Sequence, residues 1–287
     1  LRAASTRPST GFSDLRFRLL IDEPGEGAFN MAVDEAMLLS ALRPSPIATV
    51  RFYGFHPETV SFGYRQWLSE AVDVAACREL GIDWVRRPTG GRALLHQDEL
   101  TYSIAAPFAG VFQGRSVRGV YDLVSEAIRA ALTRLAIPLD PKEALFRGAR
   151  EPALHVPCLA SPSRHEITSG GRKVVASCQR RSHRAFLQHG SILKTVDGGS
   201  WEKVRPKSGL SAPLSAVGID ELAGEPVPRE RLIAVLREAF SECIGDLPPS
   251  EGLTSKESER VRALANEYRW RDSPSESRLI DNSEAVW

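Results

Sequence analysis

Apolar and polar positions alternate along the chain with two periods, and each stretch predicts an element. From Ala28 to Leu42, Phe29, Met31, Ala32, Val33, Ala36, Met37 and Leu39 cover most of a helical circumference, so a buried helix is expected. Asn30, Asp34 and Glu35 are its polar exceptions. Val, Thr and aromatic residues predict short strands over Thr49–Tyr53 and Thr59–Phe62, with a turn around Gly54 and Pro57. Val72, Ala75, Ala76 and Leu80 predict one helix over Ser69–Leu80, closed by Gly81, with Cys77 as a packing residue. Two further strands, Ile82–Val85 and Thr101–Ala105, bracket a glycine loop at Gly90 and Gly91. A long amphipathic helix runs from Val117 to Leu135 with Ser116 as its N-cap. The proline-containing stretch Pro141–Ser163 lacks a period and reads as a long functional or mobile loop.

Gly170-Gly171 supplies the positive φ of a two-residue hairpin between Arg164–Ser169 and Arg172–Arg181. Pro228–Cys243 predicts another helix, ending in a packing cysteine. Thr254 with Glu257 forms a capping box for a last helix through Val261, Leu264 and Tyr268. This mixture predicts an α+β fold: one large domain over residues 15–250, a mixed sheet flanked by helices, and a short helical tail. Residues 1–14 read as a disordered tail, with a transit peptide as the weaker reading, and residues 251–287 as a C-terminal helix with a frayed end.

Composition narrows the classes. At 42% hydrophobic and 25% charged residues, the 287-residue chain carries enough apolar surface for a core. Its 37 basic and 36 acidic residues give a net charge of +1, which supplies no general field for nucleic acid or membrane surfaces. No run reaches the ~18 apolar residues of a membrane span. The four cysteines, with no CxxC pair, fit neither a disulfide framework nor a zinc ribbon and point to a reducing cytoplasm.

Strand alternation in the hairpin puts Lys173, Val175, Ser177 and Gln179 on one face and Val174, Ala176 and Cys178 on the other. The apolar face is expected to be the core face, making Cys178 structural and turning Lys173 toward ligand space or solvent. Cys158 stands apart in its Pro157-to-Pro162 loop, where a nearby cation such as Lys173 would favour the thiolate. The half-buried loop cysteine is the plain alternative. The loop of Arg86, Arg87, Thr89, Gly90, Gly91 and Arg92 frees the backbone to approach a ligand but lacks a phosphate-binding or dinucleotide fingerprint, and by pattern alone an ordinary tight turn is the favoured reading. His96, Tyr102 and Ser103 could line the same pocket. His155, Cys158 and His165 are three possible metal ligands without a matching fourth, so no metal site is expected. His189 reads by pattern as a core histidine on a strand beside that of Lys173.

Four segments, NMAVDEAML at 30–38, RRPTGGRALLHQDELTYS at 86–103, GRKVVASCQRR at 171–181 and LQHGSIL at 187–193, together resemble the lipoate-protein ligase A and octanoyltransferase family of biotin/lipoate cofactor transferases. The resemblance spans residues 16–245 and is greatest to its octanoyltransferase branch. Ligases that activate lipoate with ATP usually carry a third glycine where Arg92 stands, and many carry a further C-terminal domain where only one helix is expected here. The PCLASPSRHE segment at 157–166 resembles the loop bearing the acyl-accepting cysteine of that branch.

By this resemblance Cys158 is the nucleophile and Lys173 the active-site lysine. Substrate binding is expected around Arg87, Gly90, Gly91, His96, Ser177, Gln179, His189 and Gly190. The implied reaction passes an octanoyl group from octanoyl-acyl carrier protein through a Cys158 thioester to the acceptor lysine of a lipoyl domain, such as glycine cleavage H protein, without ATP, metal or other cofactor. Arg180, Arg181 and Arg184 are a possible patch for the acidic carrier, or simply a solvated surface. Alternatives in keeping with the motifs are an amidotransferase between lipoyl domains, an ATP-dependent lipoate ligase, and an acyl-binding protein without turnover.

Overall fold

The computed structural model of the chain describes residues 15–142, 158–160, 166–206 and 213–269. The expected N-terminal tail, most of the Pro141–Ser163 loop, His155, His165 and the frayed end from residue 270 lie outside the described residues.

The described strands are β1 (Phe17–Ile21), β2 (Ala48–Tyr53), β3 (Thr59–Phe62), β4 (Asp83–Arg86), β5 (Leu94–His96), β6 (Glu99–Pro107), β7 (Ile167–Ser169), β8 (Arg172–Arg181) and β9 (Ala185–Leu193). The helices are α1 (Gly27–Ala41), α2 (Leu68–Ala71), α3 (Val74–Leu80), α4 (Val117–Arg134), α5 (Gly198–Val204), α6 (Ile219–Ala223), α7 (Arg229–Ile244) and α8 (Ser255–Tyr268). Six strands form one mixed sheet in the order β1-β2-β6-β9-β8-β7, and three form a second in the order β4-β3-β5. The α+β fold is as expected, but β1, whose Leu19-Leu20-Ile21 run does not alternate, and the three-residue β5, too short for a period, were not foreseen. The helix expected over Ser69–Leu80 is two: the chain turns extended at Val72, and Asp73 restarts it by accepting the Ala75 and Ala76 N–H groups at 3.1 Å.

Each face of the large sheet has its own core. Leu123, Val124 and Ile128 of α4 and Leu232, Leu236 and Phe240 of α7 pack against Val50, Phe52, Ile104, Phe186 and Ile192 on one face. On the other, Met31, Val33 and Met37 of α1 and Val261, Leu264 and Tyr268 of α8 pack with Leu20, Tyr53 and Leu187. Helix α8 is therefore built into the second core rather than trailing from it. Its Glu257, in the expected capping box, reaches β1 and forms a buried ion pair with Arg18 at 2.7 Å. The small sheet forms a third core with α3 and α5. Beside α1, between the two sheets, the packing leaves a cavity.

The β7–β8 hairpin turns at Gly170 and Gly171, whose φ values of 56° and 75° only glycine adopts without strain. Its register then shifts: Ile167 pairs with Val175 and Thr168 with Lys173, leaving Val174 as an extra residue, a β-bulge. The bulge sends both Val174 and Val175 into the core under α4 and α7. Simple alternation is thereby broken, and Lys173 shares its face with Ala176 and Cys178.

Candidate active site

The cavity has a volume of about 90 Å³ and is walled by β8, β9, α1, the small sheet and the Cys158 turn, with Met31, Tyr53, Phe55, Leu94 and Ala176 among its apolar surfaces. Three polar groupings project into it. Each joins residues far apart in sequence.

The first is built on the turn Cys158–Ala160. The Cys158 N–H donates to the Ala93 carbonyl at 2.9 Å and the Ser215 N–H to the Leu159 carbonyl at 2.7 Å, which ties the turn to the wall. Lys173, fully buried, donates to the Glu166 carboxylate at 2.8 Å and to the Cys158 carbonyl, and its Nζ lies 3.5 Å from Cys158 Sγ. An ammonium has three donors, and here each faces an acceptor. The sulfur is half-buried and lines the cavity. Lys173 thus comes to Cys158 from the ligand side expected of it, but in the company of Ala176 and Cys178 rather than Ser177 and Gln179.

The second grouping centres on Asp34, a polar exception on α1. Its carboxylate accepts from His189 Nδ1 at 2.8 Å, Tyr53 at 2.9 Å, Ser103 at 2.8 Å and Arg51 at 3.1 Å. Burial pushes its pKa up, yet His189, Arg51 and Ser103 together hold it below the ordinary carboxylate value. His189 Nε2 meets the Thr89 hydroxyl at 2.7 Å, and that hydroxyl lies 3.0 Å from Cys178 Sγ. Cys178 pairs with His189 across the β8–β9 ladder and faces the cavity, so its expected role as a plain packing residue is corrected: the bulge puts it on the site face. Burial raises the Cys178 pKa, but the His189 charge, Arg87 and hydrogen bonds from His189 and Thr89 bring it down to about 6. Burial lowers that of His189, and Cys178 and Asp34 outweigh it, raising it to about 9.

In the third, His96 joins Ser61 through Nε2 and Glu99 through Nδ1, while Arg87 donates to the Ser61 hydroxyl at 2.8 Å and to the Gly90 carbonyl at 3.0 Å. His96 also stacks on Phe55 with ring centroids 3.9 Å apart.

Of the residues expected to bind substrate, Arg87, Gly91, His96, Ser177, His189 and Gly190 line this cavity. Gly190 lets the strands close: a Cβ there would stand 2.2 Å from the Ala176 carbonyl oxygen. Gly90 and Gln179 do not reach the cavity. They border a wider groove of about 720 Å³ with Arg65, Arg180 and Arg181, which meets the cavity's wall at Gly91. Past the bulge Gln179 faces away from Lys173 and bonds Gln188 at 2.9 Å. Asp34, Thr89, Ser61, Glu99 and Glu166 were not assigned a site role; all but Ser61 lie within the quoted segments, and Asp34 was visible as a charge on an apolar helix. Among the described residues no group of His, Cys, Asp and Glu could hold a metal ion, and no helix is long and apolar enough to cross a membrane.

The two-sheet architecture is that of lipoate-protein ligases. A bipartite lipoate protein ligase from Thermoplasma acidophilum superposes with a TM-score of 0.69 at 21% identity, covering 88% of this chain and 93% of that one. A lipoate-protein ligase A bound with ATP gives 0.70 at 22% identity, covering 87% and 94%. At such identities the likeness concerns the fold. Sequence carries the relationship further: residues 26–241 match the lipoyl protein ligase A/B catalytic domain, and the chain belongs to that family of enzymes. Its relatives include the octanoyltransferase LipM of Kyrpidia tusciae, 37% identical over 264 residues covering 88% of this chain and 96% of the relative. The octanoyltransferase LipM of Bacillus subtilis is 34% identical over 253 residues, covering 83% and 90%.

Proposed function

We propose that the enzyme takes an octanoyl group from octanoyl-acyl carrier protein onto Cys158 and passes it to the acceptor lysine of a lipoyl domain, such as that of glycine cleavage H protein. The observation that carries the reading is Cys158 Sγ at 3.5 Å from the buried Lys173 ammonium, on the wall of a largely apolar cavity, in a chain whose relatives include octanoyltransferases.

The Cys158 sulfur attacks the donor's thioester carbonyl; its bond to the acyl carbon forms as the carrier's carbon–sulfur bond breaks, and the carrier thiol leaves with the proton. The acceptor amine then attacks the acyl-enzyme, the carbon–nitrogen bond forms as the bond from the acyl carbon to Cys158 Sγ breaks, and the departing sulfur, beside Lys173, takes up the proton the amine gives up. Thioester exchange is nearly isoenergetic and amide formation is downhill, so neither step calls for ATP. Glu166 holds Lys173 in place, and the apolar wall receives the acyl chain. Arg65, Arg180 and Arg181 give the acidic carrier a basic approach along the groove that meets the cavity at Gly91. With its four cysteines free, the enzyme works in the reducing cytoplasm.

The test is peptide mapping after incubation with octanoyl-carrier protein, without ATP, of wild type and Cys158→Ser. An octanoyl group on the Cys158 peptide, discharged by a lipoyl domain, supports the reading. A folded wild type that leaves Cys158 unmodified refutes it; modification only by an octanoylated lipoyl domain would identify an amidotransferase, and octanoylation only with free acid and ATP a ligase.

A further inference from the structure

The fold places a second thiol in the same cavity, and its surroundings differ from those of a packing cysteine. Cys77 is the comparison: fully buried among Val60, Phe62 and Ile82, with burial and then Asp73 and Asp83 pushing its thiol up to about 12. Cys243, in the last turn of α7, is likewise raised by burial and by Glu126 and Glu242. Cys178 instead ends a hydrogen-bonded chain whose directions can be worked out. The Asp34 carboxylate only accepts, so His189 Nδ1 carries a hydrogen and donates it. When Nε2 also carries one, it goes to the Thr89 oxygen, and the Thr89 hydrogen then points at Cys178 Sγ, 3.0 Å away. In that state the sulfur accepts, which is the arrangement a thiolate opposite an imidazolium calls for.

Charged and titratable groups from every side fit this state. His189 comes from β9, Arg87 and Thr89 from the loop after β4, and Asp34, behind His189, from α1. Tyr102 of β6 and Tyr121 of α4 are held protonated by burial, Tyr102 at about 12. The sulfur is also reachable, since Cys178 lines the cavity together with Cys158 and Gly91.

We propose that Cys178 is a second nucleophilic thiol of the cavity, activated by His189 and Asp34 through Thr89, and that it accepts acyl groups from thioesters as a covalent station distinct from Cys158. The assignment of acyl thioesters as its substrate class rests on the function proposed above. The thiol's hydrogen passes through Thr89 to His189; Cys178 Sγ then bonds the acyl carbon, the donor's carbon–sulfur bond breaks, and the departing thiolate takes the proton that His189 holds. One thioester and one thiol enter the step, and one of each leaves.

Two measurements on the full chain test this, with circular dichroism confirming that each variant is folded. In the first, carbamidomethylation by iodoacetamide is followed by peptide mapping from pH 5 to 9. The Cys178 rate should rise with an inflection at about 6, and His189→Gln should move that inflection toward the ordinary ~8.5 of a free thiol. An inflection near ~8.5 in the wild type, or one that His189→Gln leaves in place, overturns the activation. In the second, Cys158→Ser is incubated with octanoyl-pantetheine. An octanoyl group on the Cys178 peptide, absent from Cys158→Ser/Cys178→Ser, is expected. Alkylation without acylation overturns the acyl-accepting role. The wild-type digest separates the two readings: octanoyl on Cys158 but never on Cys178 defeats this proposal alone, and octanoyl on Cys178 but never on Cys158 defeats the assignment of Cys158 as nucleophile.

Discussion

Replacing Glu257 by Gln should uncouple α8 from β1. Glu257 is 1% exposed, its carboxylate accepts from Arg18 at 2.7 and 2.9 Å and from Ser40 at 2.7 Å, and the Thr254 cap closes on the same group. Burial alone would raise the carboxyl pKa; Arg18, Ser40 and Thr254 outweigh it and hold it at about 2, against an ordinary 4.5. That preference for the ionised form contributes about 3 kcal/mol at pH 7, at roughly 1.4 kcal/mol for each tenfold weakening of proton affinity. Because the folded-state value lies below the unfolded one, the contribution is complete above the ordinary carboxyl pKa and shrinks as pH falls toward the folded value, to about 1.5 kcal/mol at pH 3. Glu257→Gln keeps the shape, loses the charge and leaves Arg18 buried beside a neutral amide. Urea unfolding followed by circular dichroism at pH 7 and pH 3 should give a deficit of about 3 kcal/mol at the higher pH and about half of it at the lower. An equal deficit at both, or one under about 1 kcal/mol at pH 7, would refute the argument that the ionised carboxylate locks the helix.

Gly190→Ala would push a Cβ to 2.2 Å from the Ala176 carbonyl oxygen and 2.8 Å from the Tyr102 ring. Neither strand can yield without breaking the β8–β9 ladder, so a loss of several degrees in melting temperature or an insoluble product is expected, on the order of 3 kcal/mol or more. Asp73→Ala removes the acceptor that starts α3 and should cost about 1 kcal/mol in urea unfolding while leaving acylation of Cys158 intact. Lys173→Met, which retains the length of the side chain and removes its charge beside Cys158, should slow octanoylation of the Cys158 peptide at least ~100-fold in single-turnover mass spectrometry; a rate within a few-fold of wild type would remove Lys173 from the chemistry.

Much of this enzyme is legible in its sequence because local physics writes local signals. Helix α1 was expected from its apolar circumference, α4 from a three-and-four repeat behind Ser116, the hairpin from Gly170-Gly171, and α8 from the Thr254–Glu257 capping box. Motif resemblance singled out Cys158 and Lys173, which the fold sets 3.5 Å apart, Sγ to Nζ. Short strands such as β5 escaped because three residues do not make a period, and the break at Val72 escaped because an N-cap inside a run of helix-compatible residues looks like one more polar position.

The rest turns on one inserted residue and on contacts across long separations. Alternation assigns strand faces only while the ladder is unbroken, and the bulge at Val174 exchanges the faces on either side of it, so Cys178 joins the face of Lys173 and lines the cavity while Gln179 turns away. Asp34 and His189 are 155 positions apart, and Thr89 lies a further element away from both. No local propensity records such a meeting, because the cost of burying each polar group is offset only by partners the sheet order brings to it. Local pattern sufficed for the longer helices, the hairpin and the residue types at hand; the packing of two sheets around α1 set which of those residues share one cavity, and hence which can act together.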